Sequence, residues 1–204
     1  MKIIKISSYY AALLAFIAFL CSALSTGVYF LTKEKINAEI TRQKQTLLLQ
    51  VVPQYYFDNA LLEGCHTPNN PKLREQRIQE ICIASKQGQT TAYALETIAP
   101  EGYSGNIRLL IGVTPQGKIL GVRVLEHHET PGLGDKIETR FSQWIYSFTD
   151  QQIDPNRLSE WAVKKDGGKF DQFAGATITP RAIVNQVKNS VLTLLNEINQ
   201  EAVQ

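Results

Sequence analysis

The sequence predicts an α+β domain with an antiparallel sheet, joined to one N-terminal transmembrane helix. Three observations indicate this fold class. The segment 9–31 is apolar and contains no charged residue. Runs rich in β-branched and aromatic residues at 91–98, 103–113 and 118–126 predict three strands. The C-terminal segment places its apolar residues at helical spacing, which predicts a closing helix.

The N-terminal apolar segment is long enough to cross a lipid bilayer. As a helix, Tyr9 to Leu31 would span roughly 34 Å, and the hydrocarbon core of a bilayer is about 30 Å thick. A cleaved signal peptide would have a shorter apolar core and a clear small-residue cleavage site, so an uncleaved anchor is favoured. Lysines flank both ends and orient the anchor only weakly. A short basic tail in the cytoplasm would place the rest of the chain across the membrane.

The chain divides into four predicted parts. They are a cytoplasmic tail at 1–8, the anchor at 9–31, a juxtamembrane helix and connecting region at 32–88, and a folded domain at 89–204. The juxtamembrane helix is expected from 33 to 52, where Pro53 ends it. Residues 55–88 show no clear periodicity and are expected to be irregular.

Within the domain, Pro115-Gln-Gly117 is expected to join two strands as a tight hairpin turn. A helix is predicted to begin at Asp135, with that residue as its N-cap. Its apolar positions, at helical spacing, are Ile137, Phe141, Trp144, Ile145 and Phe148. Residues 161–170 are expected to form a short strand. The closing helix is predicted to have Thr179 as its N-cap and Pro180 in its first position.

Composition and cysteine spacing exclude several functions. A net charge of +2, with acids and bases interspersed, argues against a nucleic-acid partner. No C-x-x-C pair occurs, so a cysteine zinc site or an iron–sulfur cluster has no support. Cys65 and Cys82 are either a disulfide in an oxidising compartment or two free thiols. His127 and His128 would point to opposite faces of a continuing strand, so hydrogen-bonding or surface histidines are expected, and no metal site.

Two glycine-bearing segments, 130–134 and 175–179, precede predicted helices. Free N–H groups at a helix start attract phosphate, and glycine lets the backbone approach it closely. Neither segment matches a Walker loop or the dinucleotide fingerprint, and each alone is most often a turn and a cap. The hydroxyl of Thr177 could bear a phosphoester beside the positive end of the helix dipole. The basic run 164–169 is expected to be a solvated turn or to lie near a phosphate.

The segment Asp171-Gln-Phe-Ala-Gly-Ala-Thr177 resembles the flavinylation motif Asp-x-x-(Ser/Thr)-Gly-Ala-(Thr/Ser). In that motif a separate transferase moves FMN from FAD to the last hydroxyl residue. Ala174 stands where Ser or Thr is usual. The segments 129–135 and 103–107 resemble two further hallmarks of the same FMN-binding domain family. The order of these segments, the anchor and the length are similar to those of the G-type subunits of the Rnf/Rsx ion-translocating electron-transport complexes.

The resemblance implies which residues form the site. Thr177 would carry FMN through a phosphoester, and Asp171 would be recognised by the flavin transferase. The ring and ribityl pocket would be formed by Glu129, Thr130, Leu133, Gly134 and Lys136, and Gly175 and Ala176 would shape the turn at the attachment point. No residue is expected to be catalytic by itself.

The resemblance also implies a setting. The chain would be an electron-carrier subunit of a complex that passes electrons between ferredoxin and NAD and couples this to ion movement, with no independent turnover. It would span the bacterial inner membrane once, with its domain in the periplasm. Its partners would be the other membrane, Fe–S and flavin subunits and, transiently, the transferase. The alternatives are a component similar to the C-type subunit of a sodium-translocating NADH:quinone oxidoreductase, or a membrane-tethered assembly module with no redox role.

Overall fold

The computed structural model describes the backbone of residues 2–201 and the side chains of residues 10–200. Met1, in the predicted tail, and residues 202–204, at the end of the predicted domain, lie outside the described residues. The chain divides into two compact units, one ending at Lys44 and one beginning at Gln45. The second unit therefore starts well before residue 89, where the sequence placed the beginning of the domain.

The first unit is part of one long helix, α1, which spans Lys2–Val51. The predicted anchor and the predicted juxtamembrane helix belong to this single element. By length and composition, α1 is the one helix in the described chain that could cross a membrane. Its large apolar side chains are exposed, as in Phe19 and Leu24. Such exposure is unfavourable in water and is the arrangement that lipid would cover.

The second unit is built on a five-stranded antiparallel sheet whose strands follow one another in chain order. The strands are β1 (Cys65–His66), β2 (Ile78–Lys86), β3 (Gln89–Gly102), β4 (Gly105–Val113) and β5 (Ile119–Glu126). The three predicted strands are confirmed as β3, β4 and β5. The turn at 115–117 is confirmed as well, with Gly117 at φ +84° and its N–H bonded to the Thr114 carbonyl.

The prediction of an irregular segment at 55–88 was wrong, because it contains β2 and the short helix α2 (Pro71–Glu75). The pairing of β2 with β3 shifts register near Glu80 and again near Ser85. The second shift adds a residue to β3. The first adds a residue to β2, so that Ile78 and Ile81, three positions apart, contribute to the same core cluster. The strand therefore lacks the simple alternation by which strands are recognised in sequence.

The predicted helix from Asp135 was also wrong. Two short 3-10 segments, Gly134–Ile137 and Trp144–Phe148, take its place. Between them, the Ser142 hydroxyl donates to the Lys136 carbonyl at 2.5 Å and accepts the Trp144 N–H at 3.1 Å. Such local side-chain bonds compete with helical ones. The break leaves Phe141 52% exposed although it fits the apolar spacing.

The predicted strand at 161–170 is instead a tight loop. Lys164–Asp166 forms a 3-10 turn, and Gly167 follows it at φ +87°. The loop closes where the Lys164 N–H donates to the Phe170 carbonyl at 2.7 Å. Glycine permits this left-handed conformation, which a continuing strand would not contain.

Helices and loops cover both faces of the sheet. The closing helix α3 (Ile178–Glu201) packs Val184, Val187 and Val191 into the core on one face. On the other face, the last turn of α1 buries Leu48 and Val51. Glycine makes this second contact possible, because a Cβ on Gly112 would lie 1.9 Å from the Val51 carbonyl oxygen.

The two cysteines of the second unit form a disulfide. Cys65 and Cys82 are direct partners in the pairing of β1 with β2, and their sulfurs are bonded. Of the two alternatives left by the sequence, the disulfide is the one observed. Glu80 lies close to both sulfurs, but a disulfide offers no thiolate to a metal ion.

Candidate functional site

A cavity of about 530 Å³ lies where four segments of the second unit meet. They are the β3–β4 turn, the loop after β5, the turn at Lys164–Asp166, and the start of α3. Its volume falls in the range of small-molecule sites, about 300–1,000 Å³. The lining residues are Tyr103, Glu129, Thr130, Leu133, Gly134, Lys165, Gly175, Ala176, Thr177, Ile178 and Thr179.

Thr177 occupies the N-cap position of α3, directly before Ile178. Its carbonyl accepts the Arg181 N–H at 3.2 Å. Its half-buried hydroxyl makes no hydrogen bond with any residue in the range 10–200, where side chains are described. A capping hydroxyl usually accepts from the second or third helical residue, and the third here is Pro180, which has no N–H. The acceptor oxygen is thus left available at the cavity wall.

The turn before Thr177 depends on Gly175, which adopts φ +77°. This left-handed conformation costs little only for glycine. The predicted start of α3 was two residues late. Thr179 lies within the first turn, where its hydroxyl is buried and donates to a carboxylate instead of capping the helix.

That carboxylate is Glu129, which is 5% exposed. One of its oxygens accepts the Thr179 hydroxyl at 2.5 Å, and the other accepts the Ser104 N–H at 3.0 Å. Ser104 lies in the β3–β4 turn and Thr179 lies in α3, so one side chain connects three of the four walls of the cavity. A Cβ on Gly134 would lie 2.7 Å from Glu129, so the loop can approach this closely only with glycine there.

The loop after β5 presents an apolar surface to the cavity. The Thr130 carbonyl accepts the N–H groups of Leu133 and Gly134, both at 3.1 Å, and this turn projects the Leu133 side chain outward. Leu133 is 42% exposed and Tyr103 is 70% exposed. Together with Ile178 they form an exposed apolar rim, which is the type of surface that a planar aromatic ring covers.

The structure brings most of the residues named from the sequence to this cavity. Two do not line it. The Lys136 carbonyl accepts the Ser142 hydroxyl, and Lys136 lies outside the cavity. The Asp171 carboxylate pairs with Lys164 at 2.6 Å, and its carbonyl accepts the Trp144 ring N–H at 2.7 Å.

The sequence did not assign four lining residues to the pocket: Tyr103, Lys165, Ile178 and Thr179. Tyr103 belonged to the third resembling segment, and Lys165 to a basic run with an open role. The sequence thus singled out both segments, but only the folded chain shows which of their side chains reach the cavity.

A second cavity, of about 540 Å³, shares Glu129 with the first. There the Glu129 N–H donates to His127 Nδ1 at 3.0 Å, so the ring proton lies on Nε2 and is donated to Glu138 at 2.5 Å. Burial raises the pKa of Glu138, but the hydrogen bonds from Arg140 and His127 outweigh it and leave that pKa lowered. His127 is thus a hydrogen-bonding histidine, as expected. Asp135 is buried here, and its Oδ1 has no hydrogen-bond partner among the described residues.

Comparison with known proteins places the chain in a family. Residues 1–51 match the model of the RnfG N-terminal region, and residues 102–191 match the model of the FMN-binding domain. The G-type subunit of the ion-translocating oxidoreductase complex of Pasteurella multocida is 69% identical over 201 residues, which is 98% of this chain and all of that protein. The corresponding protein of Haemophilus influenzae is 61% identical over 96% of this chain and 94% of that protein.

Among solved structures, NqrC of Shewanella oneidensis matches with a TM-score of 0.49 and 21% identity, over 72% of this chain and 73% of that one. The sequence relationships are much closer. With 69% identity over nearly its whole length, the chain belongs to the family of G-type subunits of ion-translocating oxidoreductase complexes and contains an FMN-binding domain.

Proposed function

We propose that this chain is the electron-carrier subunit of a membrane-bound ferredoxin:NAD oxidoreductase complex of the Rnf/Rsx type, and that FMN is attached to Thr177 by a phosphoester. One observation supports Thr177 as the attachment residue. The Thr177 hydroxyl has no hydrogen-bond partner among the described residues and lies in the cavity wall, within the segment that matches the FMN-binding domain.

The residues of the cavity suit both the phosphate and the ring of FMN. At the start of α3, the N–H groups of Ile178 and Thr179 have no carbonyl within the helix to receive them, which favours a phosphate there. The exposed rim of Tyr103, Leu133 and Ile178 suits a flat, largely apolar ring. When bound, FMN supplies the electron-transfer chemistry. The protein's part is to hold the ring at the surface and keep the tether in place.

The attachment itself requires a flavin transferase and FAD. The Thr177 oxygen forms a bond to the phosphorus on the FMN side of FAD, the pyrophosphate bond breaks, AMP leaves, and the hydroxyl proton is released. Electrons then pass to and from the other Fe–S and flavin subunits of the complex. A covalent tether keeps the flavin on the protein where free flavin is scarce.

The location we propose is the inner membrane, with the second unit in the periplasm. The disulfide between Cys65 and Cys82 supports this orientation, because disulfides persist in the periplasm and are rare in the cytosol. In intact spheroplasts, a membrane-impermeant thiol reagent should label Cys65, the more exposed of the two cysteines, after mild reduction. Labelling only after lysis would contradict the orientation.

The attachment is tested by producing the chain together with the transferase. Wild type and Thr177→Ser should give a flavin-fluorescent band on a denaturing gel, and Thr177→Ala should give none. Thr130→Ala, which removes another hydroxyl in the same cavity, is the matched control and should keep the band. Mass spectrometry should find FMN on the peptide that contains Thr177. No covalent flavin on the wild type would favour the assembly module instead.

A further inference from the structure

The geometry points to Lys165 as the residue that binds the negative charge of the FMN phosphodiester on Thr177. This inference rests on the proposed attachment, and it names a binding residue that the flavinylation motif does not contain. Lys165 lies outside the segments that match the family hallmarks, but the fold brings it into the wall of the same cavity as Thr177.

Two contacts hold the turn that contains Lys165 against the attachment segment. Arg181, in the first turn of α3, donates two hydrogen bonds to the Asp166 carboxylate at 2.6 and 2.8 Å. The backbone N–H of Lys165 donates to Gln172 Oε1 at 3.2 Å, within the same segment as Thr177. Lys165 therefore stays beside the helix start, although its long side chain is exposed.

The charged neighbours of Lys165 are already committed to other partners. Lys164 pairs with Asp171 at 2.6 Å. Asp166 is engaged mainly by Arg181, whose hydrogen bonds hold the pKa of this carboxyl below its usual range, with a smaller coulombic contribution from Lys165. Lys165 forms no ion pair with a carboxylate in the described part of the chain. Among the residues that line the cavity it is the only cation.

The phosphodiester needs such a cation. It carries one full negative charge at neutral pH, whereas a helix start offers only about half a positive charge. One donor of the first turn of α3 is also missing, because Pro180 has no N–H. The buried Glu129 adds a carboxylate to the same cavity. A lysine ammonium on a flexible stem can balance these charges without requiring a fixed geometry.

The structure also supplies matched controls. Lys136 was named as a pocket residue from the resemblance, yet it lies outside the cavity. Lys164 is the direct neighbour of Lys165, with the charge already paired. Replacing Lys136, Lys164 or Lys165 by glutamine removes one positive charge in each case. A general effect of net charge would therefore appear in all three variants.

The test uses the full chain, flavinylated in cells that contain the transferase and purified in detergent. The phosphorus NMR resonance of the phosphodiester should move in Lys165→Gln and return most of the way in Lys165→Arg. Lys136→Gln and Lys164→Gln should leave it where the wild type has it. A resonance unchanged in Lys165→Gln, or moved equally in the controls, would overturn the inference.

The flavin-fluorescent band on a denaturing gel separates this inference from the proposed attachment to Thr177. If the wild type is not fluorescent on a denaturing gel, the attachment itself is wrong and Lys165 has no phosphodiester to bind. If only Lys165→Gln loses the band, recovery in Lys165→Arg supports a need for charge, and continued loss in Lys165→Arg overturns it. Without FMN, the Lys165 variants should unfold at the wild-type temperature, because the Lys165 side chain is exposed.

Discussion

Replacing Glu129 by alanine should loosen the cavity walls before any flavin is present. Its carboxylate accepts one hydrogen bond from the β3–β4 turn and one from the first turn of α3. Alanine removes both and leaves the buried Thr179 hydroxyl without this partner. Hydrogen bonds to a charged group contribute about 1.5–3 kcal/mol each. Because the two share one side chain, we take the lower end, about 3 kcal/mol in total.

A loss of about 3 kcal/mol should lower the unfolding temperature by about 6–12 °C, at about 2–4 °C per kcal/mol for a domain of this size. Glu129→Gln should cost far less, about 1 kcal/mol or below. Its amide oxygen can still accept from Ser104, and its NH₂ group can donate to the Thr179 hydroxyl. Glu126→Ala is the matched control, because it removes an exposed carboxylate paired with Arg108, and such surface pairs contribute about 0–1 kcal/mol.

The assay is thermal unfolding of the flavin-free chain, followed by tryptophan fluorescence. The protein has two tryptophans. Trp161 lies in the core of the second unit, and Trp144 packs against that core. The signal therefore reports that unit without interference from α1. An alanine variant that unfolds within about 2 °C of the wild type, or a glutamine variant as unstable as alanine, would refute the role given to Glu129.

Three further predictions concern stability. The pKa of Glu138 is lowered in the folded protein. Its contribution to stability is therefore complete above its unfolded pKa of about 4.3 and is lost as the pH falls through the folded pKa. Glu138→Gln should therefore flatten the acid side of the stability profile. Reduction of Cys65–Cys82, 17 residues apart, should lower the free energy of unfolding in urea by about 3 kcal/mol, and an unchanged midpoint would exclude this. Gly112→Ala places a Cβ 1.9 Å from the Val51 oxygen and should cost at least about 1–3 kcal/mol in the same assay.

The elements that the sequence predicts well are those with a strong local signal. The anchor is a long run without charge, β4 and β5 are rich in β-branched residues on either side of a glycine turn, and α3 keeps one face apolar; the structure contains a helix or strand at each of these places. The strand β2 was missed because an extra residue between Ile78 and Glu80 breaks its alternation, so that Ile78 and Ile81, three positions apart, contribute to the same core cluster. The helix expected from Asp135 failed because the hydroxyl of Ser142 takes over backbone bonds that a helix would use.

For the candidate site, local signals were informative and distant ones were not. Thr177 and Gly175 lie within one short segment, so the sequence could place them together. Lys165 is held at the cavity by the contact of Arg181 with Asp166. This contact joins a loop to a helix, and no local sequence pattern predicts it.

Pro180 has a consequence for the order of events at the attachment site. Proline is tolerated in the first turn of a helix, but it offers no N–H to the N-cap hydroxyl, and a helix without this cap bond begins weakly. Under the proposed attachment, the phosphate would supply the missing acceptor for the free N–H groups of Ile178 and Thr179. FMN would then complete the start of α3 as well as supply the redox centre, and maturation of the protein would include the final step of folding. The segment would be least ordered before the transferase acts, when an enzyme must draw the threonine into its own active site, and most ordered afterwards.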